Sequence, residues 1–195
     1  MVPYVRLSPG AGNANEFSVA TNDLEVSADM TSHLASLGHE RIAFITGHPR
    51  HKAVQNRFTG YREGLKRNGL PFSEQLVAAG DNSMASGEAA AIALLGMDKR
   101  PTAIFAANDD MAAGVIRVAN RLGIEIPAEL SVAGFVDSSR ARQVYPARTT
   151  LCQPLAQMAE AATSTLIADP SMKPESQIVP STIRIRESTG PAPRR

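Results

Sequence analysis

Apolar residues in this chain follow two spacings that alternate along its length. Short, nearly continuous apolar runs recur as RIAFITG from Arg41, LVAAG from Leu76, TAIFAAN from Thr102 and LSVAGFV from Leu130. Between them the apolar positions fall at helical spacing. Leu24, Met30, Leu34 and Leu37 form a stripe that stops at Gly38, and Phe58, Tyr61 and Leu65 form another that stops at Gly69. Glycine is a natural helix end because it adopts the left-handed backbone of the closing turn without a steric penalty. A third helix is predicted through GEAAAIALLG. A fourth runs through DDMAAGVIRVANRLG, with Met111, Val115, Val118 and Leu122 as its apolar face before Gly123 and Pro127.

Strands alternating with helices at this interval predict an α/β protein with a parallel sheet. Strands as apolar as AIFAA fit such a sheet, whose strands are covered on both faces. The flanks break the series. VPYVRL and FSVATN precede it, separated by the turn-rich SPGAGNANE; TTLCQP, a helix from Pro154 to Ile167 and the alternating QIVPSTIRIRES follow it. Proline suits the first turn of that helix, where its missing N–H costs nothing. These flanks are expected to be pieces of a second lobe, short of material, with open strand edges. Residues beyond Gly190 have the composition of a loose tail.

Composition narrows the class. With 195 residues, 43% hydrophobic and a formal charge of +1, the chain can bury a core but offers no broad cationic surface for tracking phosphates. Cys152 is the single cysteine, which excludes an intrachain disulfide and fits a reducing compartment. No apolar run reaches the roughly 20 residues of a membrane-spanning helix. The segment MVPYVRLSPGAG lacks the basic and apolar regions of a secretory signal. A cytoplasmic protein with no membrane contact is the expectation.

From Val2 to about Glu187 the sequence resembles the effector-binding domain of the lac repressor (LacI/GalR) family and its periplasmic sugar-binding relatives. The segments that carry the likeness are LASLGHERIAFITG, RFTGYREGLKRNGLP, GEAAAIALL, RPTAIFAANDDMAAGVIRVANRLGIEIPAELSVAGF and YPARTTLCQPLAQMAEAA. The resemblance implies a periplasmic-binding-protein-like fold: two Rossmann-like lobes joined by three crossovers, with a small sugar- or nucleoside-class effector between them. It places a complete C-terminal lobe at 24–150, the remnant of an incomplete N-terminal lobe with the crossovers at 1–23 and 151–190, and a tail at 191–195. Crossovers are expected near Ala20 to Asp23, Thr150 to Pro154 and Pro180. It further implies a homodimer, and DNA contact only through a helix-turn-helix headpiece that lies outside this chain.

Carried over residue by residue, Arg57 matches the arginine that forks onto sugar hydroxyls or carboxylates, a task suited to the fixed guanidinium donors. Asn108 ends the strand TAIFAAN, where open α/β sheets bind ligands, and its amide can both donate and accept. Asp109 either contacts ligand or caps the next helix, and Asp110 is read as a cap. The family places an aspartate directly after the GF pair. Here Val136 stands there and Asp137 follows, able to substitute only through a shift of the backbone, since successive strand side chains point to opposite sides. Asn82 occupies a position where relatives carry a stacking aromatic ring. His51 is read either as a contact to an anionic or heterocyclic effector or as an exposed loop histidine. Val144 and Tyr145, with Met111 and Val115, are candidates for a dimer interface; Met111 and Val115 read equally as core.

No catalytic arrangement emerges. His33, His39, His48 and His51 form no HExxH pair, no glycine-rich phosphate loop is spelled out, and Ser138 and Ser139 lack a nucleophile-elbow context. No enzyme, metal or cofactor is expected. The alternatives to a regulator are a periplasmic-type sugar-binding transport protein and a non-functional or interfering remnant of a regulator.

Overall fold

Three helices end at glycines whose backbone is left-handed, Gly38 at φ +91°, Gly69 at +67° and Gly123 at +69°. The computed structural model describes residues 4–8, 16–143, 145–167 and 176–194. Strands β1 (Arg6–Leu7) and β2 (Ser18–Ala20) come first, followed by α1 (Asp23–Ser36), β3 (Ile42–Ile45) and α2 (Lys52–Arg67). Next are β4 (Val77–Ala78), α3 (Met84–Leu95), β5 (Ala103–Ala106), α4 (Asp109–Arg121), β6 (Ser131–Val136) and α5 (Ser139–Gln143). The chain closes through β7 (Thr149–Cys152), α6 (Leu155–Ile167), β8 (Ser176–Ile178) and β9 (Thr182–Arg184).

Two sheets result. The larger has six strands in the order β4-β3-β5-β6-β7-β9, and the smaller three in the order β1-β2-β8. All pairs are parallel except β7 with β9. Strands β3 and β5 are buried at every residue, which requires cover on both faces. Helices α1 with α2 and α3 with α4 supply it. Each pair packs through glycines. A Cβ on Gly60 would strike the Leu24 carbonyl of α1, and one on Gly114 would strike the Met84 carbonyl of α3. In the core, Phe44 stacks on Tyr61 with ring centroids 5.0 Å apart and meets Phe105 edge-on at 5.2 Å. The Tyr61 hydroxyl donates to the Ile42 carbonyl at 2.8 Å, so its one polar atom is satisfied.

The smaller sheet has a small core of its own, Val19 against Met158 and Ala162 of α6. The chain passes between the sheets three times: after Ala20, after Cys152 and after Ile178. The division drawn from the sequence shifts here. Leu151 and Cys152 belong to β7, and β9 joins that strand antiparallel through the pairs Thr150 with Arg184 and Cys152 with Thr182. The span 151–190 is therefore shared between the two sheets.

Ala192, in the span expected to be a loose tail, and the residues just before that span are held by hydrogen bonds. The Ala192 amide donates to Leu37 at 2.8 Å, and Ser188 exchanges backbone and side-chain hydrogen bonds with Val132. Gly190 is buried and its amide donates to Ser131 Oγ at 3.0 Å. This segment lies along the amino-terminal edge of β6, which its composition gave no reason to expect.

Candidate ligand site

The carboxyl ends of β3, β4, β5 and β6 bring several of the sequence candidates to one end of the larger sheet. After β3 the chain turns through Gly47 and His48, and His51 stands as the N-cap of α2. After β4 it reaches Asn82, after β5 Asn108, and after β6 Val136 and Asp137. Arg57 lies in the second turn of α2.

Arg57 is 7% exposed. Its Nε donates to Asp23 Oδ2 at 2.9 Å and its Nη1 to the Ala107 carbonyl at 2.8 Å. The guanidinium carbon sits 3.7 Å from the centre of the Phe135 ring, a cation held against an aromatic face. Burial pulls the guanidinium pKa down, and the Asp23 carboxylate opposes that shift. A buried arginine requires such a partner. Asp23 and Phe135 were not among the sequence candidates. An acid opening α1 reads as an ordinary helix-terminus charge, and nothing local ties it to a residue in another helix.

Asn108 is held at both ends of its amide. Oδ1 accepts from the Met111 amide at 2.9 Å and Nδ2 donates to the Asn82 carbonyl at 2.8 Å. It is therefore Asn108, not Asp109 or Asp110, that supplies the side-chain cap of α4. Asn82 has φ +74°, a left-handed conformation that asparagine tolerates, and its side chain lies over Gly47, where a Cβ would collide with its Oδ1. Asn82 Nδ2 is 3.5 Å from His51 Nδ1, and the rings of His48 and His51 are 5.3 Å apart. Asn108, Asn82 and His51 thus form one connected arc, and Arg57 reaches the residue before Asn108 through the Ala107 carbonyl.

The two aspartates do not join it. Asp109 is 3% exposed; its Oδ1 accepts from Thr150 Oγ1 at 2.8 Å and its Oδ2 from the Ser138 amide at 2.7 Å. That ties α4 to β7 and the β6 turn, so the cap role is corrected to an internal anchor. Val136 and Asp137 have positive φ, +110° and +61°, so the strand ends in a turn there. It delivers the carboxylate to Arg186, whose Nη2 donates to Oδ1 at 2.7 Å. Of the interface candidates, Met111 and Val115 are wholly buried in the core and so present no surface. Tyr145 is 86% exposed beside a groove of about 350 Å³ with Met84, Ile116 and Asn120. Val144 lies outside the described residues.

The three crossings meet beside the arc. The Thr21 hydroxyl donates to Asp23, and Gln153 Nε2 lies 3.4 Å from Thr21 Oγ1, joining the first crossing to the second. The Ser181 amide donates to Asn22 Oδ1 at 2.8 Å, joining the first to the third. Asp23 then connects this knot to Arg57.

Two sheets joined by three crossings, with polar side chains gathered at strand carboxyl ends, define a two-lobed α/β fold of the periplasmic-binding kind. The description "Periplasmic binding protein-like domain" matches residues 31–189. The transcriptional regulator GalR of Escherichia coli K12 is 33% identical over 178 residues, 91% of this chain and 51% of that protein. A transcriptional regulator CelR–cellobiose complex superposes with a TM-score of 0.89 at 31% identity, covering 95% of this chain and 58% of the other. A LacI-family regulator from Enterococcus faecium with bound ribose gives 0.90 at 26% identity, covering 97% of this chain and 71% of that one. The chain belongs to the periplasmic binding protein-like family, and the curated relatives it is similar to are transcriptional regulators. It spans about half the length of the curated relatives it matches. Among the described residues no helix is long and apolar enough to cross a membrane.

Proposed function

We propose that this chain is the effector-sensing part of a cytoplasmic LacI-type transcription regulator. A small molecule of the sugar or nucleoside class enters between the two sheets and contacts Arg57, Asn82, Asn108 and His51. The observation that carries this reading is the chain of contacts from Arg57 through Asp23 to the knotted crossings. A ligand that engages Arg57 thereby acts on the segments about which two lobes close, and closure is the conformational change such a molecule selects. The cellobiose and ribose complexes of the two relatives support a saccharide class.

In this reading the domain acts as a homodimer through the face that carries Tyr145. DNA is reached through a helix-turn-helix headpiece outside these residues, and the domain carries out no catalysis and uses no cofactor. The test is a thermal-shift screen of the chain with ribose, galactose, cellobiose and adenosine. At about a hundred times its Kd, a ligand adds about 2.7 kcal/mol of stability, which is a clear rise in Tm. Arg57→Met is expected to abolish that rise. If none of the four raises Tm at millimolar concentration, the reading fails.

A further inference from the structure

Residues 186–192 dock on the amino-terminal edge of the larger sheet without forming a strand of it. The Ser188 amide donates to the Ala147 carbonyl at 3.1 Å, and the Ser188 carbonyl accepts from the Val132 amide at 2.7 Å. Ser188 Oγ accepts from the Thr149 amide at 2.8 Å and donates to the Val132 carbonyl at 2.6 Å. Ser188 and Gly190 are buried, and the Ala192 amide closes the segment onto Leu37. The segment follows β9 directly, so it anchors the carboxyl side of the third crossing.

One ionisable ring lies beneath it. His39 is 1% exposed, with Nδ1 2.9 Å from Thr102 Oγ1 and Nε2 2.9 Å from Ser131 Oγ and 3.1 Å from the Gly190 carbonyl. All three partners are neutral. Of the charged groups on the surrounding elements, His33 of α1 repels a proton on the ring. Glu40 and Arg194 are exposed, and Arg41 is turned to the Lys99 carbonyl. Arg100 and Glu129, ahead of β5 and β6, pair with each other, and Glu187 accepts from the Ala147 amide. A charged ring there gives up its hydration without gaining a carboxylate. The Thr102 hydroxyl, which donates to Nδ1 of the neutral ring, must also turn away once Nδ1 is protonated. Water reaches the ring at least cost if the segment sealing it lifts, because local opening takes the pieces that no strand ladder holds.

We propose that residues 186–192 form a strap that leaves the sheet edge when His39 takes up a proton. Acidification thereby frees the carboxyl side of the third crossing while the larger sheet stays folded.

Hydrogen exchange of the chain, followed amide by amide at pH 7.5 and 5.5 and divided by the intrinsic rate at each pH, tests this. The amides of Ser188, Gly190, Ala192 and Val132 are expected to lose severalfold in protection on acidification. The limit is about tenfold, set by a free histidine that titrates near pH 6.5. Phe105 in β5 is expected to keep its protection. His39→Gln, whose amide can donate to Gly190 and accept from Thr102 without taking a charge, is expected to abolish the pH dependence, and His33→Gln to leave most of it. Strap protection that does not change with pH overturns the proposal. Loss at Phe105 in step with the strap does so too, since that is opening of the whole lobe, as does a pH dependence that survives His39→Gln or vanishes with His33→Gln. If His39→Gln fails to fold, the ring resonances of the unaltered chain decide. A His39 that titrates in the folded chain near pH 6.5 gains nothing from the strap's departure and overturns the proposal; titration below that value supports it.

Discussion

Nε of Arg57 donates to Oδ2 of Asp23 across 2.9 Å, and the two side chains are only 9% and 3% exposed. The pair joins the second turn of α2 to the residue at which the chain leaves its first crossing. Removing one partner of a buried pair strands the other charge, at a cost of about 3–5 kcal/mol. Asp23→Ala is therefore expected to lower unfolding stability by that amount in urea titration. The double variant Asp23→Ala with Arg57→Met is expected to recover part of the loss, because no lone charge remains. A double variant no more stable than Asp23→Ala would argue against the pair as the anchor.

Arg148 presents the opposite case. It is fully buried, its three side-chain nitrogens have no hydrogen-bond partner among the described residues, and its Nε stands 3.5 Å from Asp109 Oδ1. Burial pulls its pKa down, with Asp109 opposing. Asp109 keeps Thr150 and Ser138 whether or not the arginine is present. The double variant Arg148→Leu with Asp109→Asn, which removes both charges and leaves an amide to bond Thr150 and Ser138, is expected to raise stability by about 1–4 kcal/mol, as neutral replacement of a buried ion pair does. A loss of stability in chemical denaturation would mean that the attraction of the two charges outweighs the cost of burying them.

His39 sets an acid limit on stability. It is 1% exposed, with Thr102 Oγ1 2.9 Å from Nδ1, and Ser131 Oγ at 2.9 Å and the Gly190 carbonyl at 3.1 Å from Nε2. A carbonyl only accepts, so Nε2 carries the proton and Nδ1 accepts from the threonine. Burial lowers the pKa below 6.5, the Gly190 bond opposes this, and His33 adds to it. The folded state thus favours the neutral ring, while the unfolded chain takes up a proton near pH 6.5. The contribution is complete above that pH and is lost as pH falls through the lowered folded value. Burial lowers His33 in the same direction. Tm is expected to drop between pH 7.5 and 5.5, and His39→Gln to flatten that slope. An equal slope in the variant would assign the effect to other groups.

Helix propensity and packing oppose each other at Gly60 and Gly114. In an open helix, alanine would gain about 0.5–1 kcal/mol over glycine. Here the new methyl meets the Leu24 carbonyl at Gly60, and the Met84 carbonyl and Glu88 amide nitrogen at Gly114. Neither backbone can yield as a side-chain tip would. Gly60→Ala and Gly114→Ala are expected to destabilise by about 1–3 kcal/mol, the usual cost of overpacking. Gly69→Ala serves as a comparison, since nothing lies within 4 Å of its added Cβ and only its φ of +67° resists the change. Thermal melts in which Gly60→Ala gained stability would contradict the tight α1 and α2 contact.

The sequence by itself determined the elements and the fold class. Helix ends at Gly38, Gly69 and Gly123 were legible because a left-handed residue is a local steric requirement. Strands β3 and β5 were legible because burial on both faces leaves unbroken apolar runs. Arg57 became a candidate only through the motif RFTGY that carries the family resemblance, and Asn108 through that resemblance together with its place at a strand end. Only the tertiary structure decided the partners. Asp23 meets Arg57 from another helix, β9 adds to β7 in reverse direction, and Gly190 reaches Ser131 and His39. For Asp109 and Asp137 the sequence left the partner open, and the fold supplies Thr150 and Ser138 for the first and Arg186 for the second. A carboxylate looks identical in sequence whether it faces a ligand or an arginine, and the choice depends on which distant donor the packed chain brings within 3 Å.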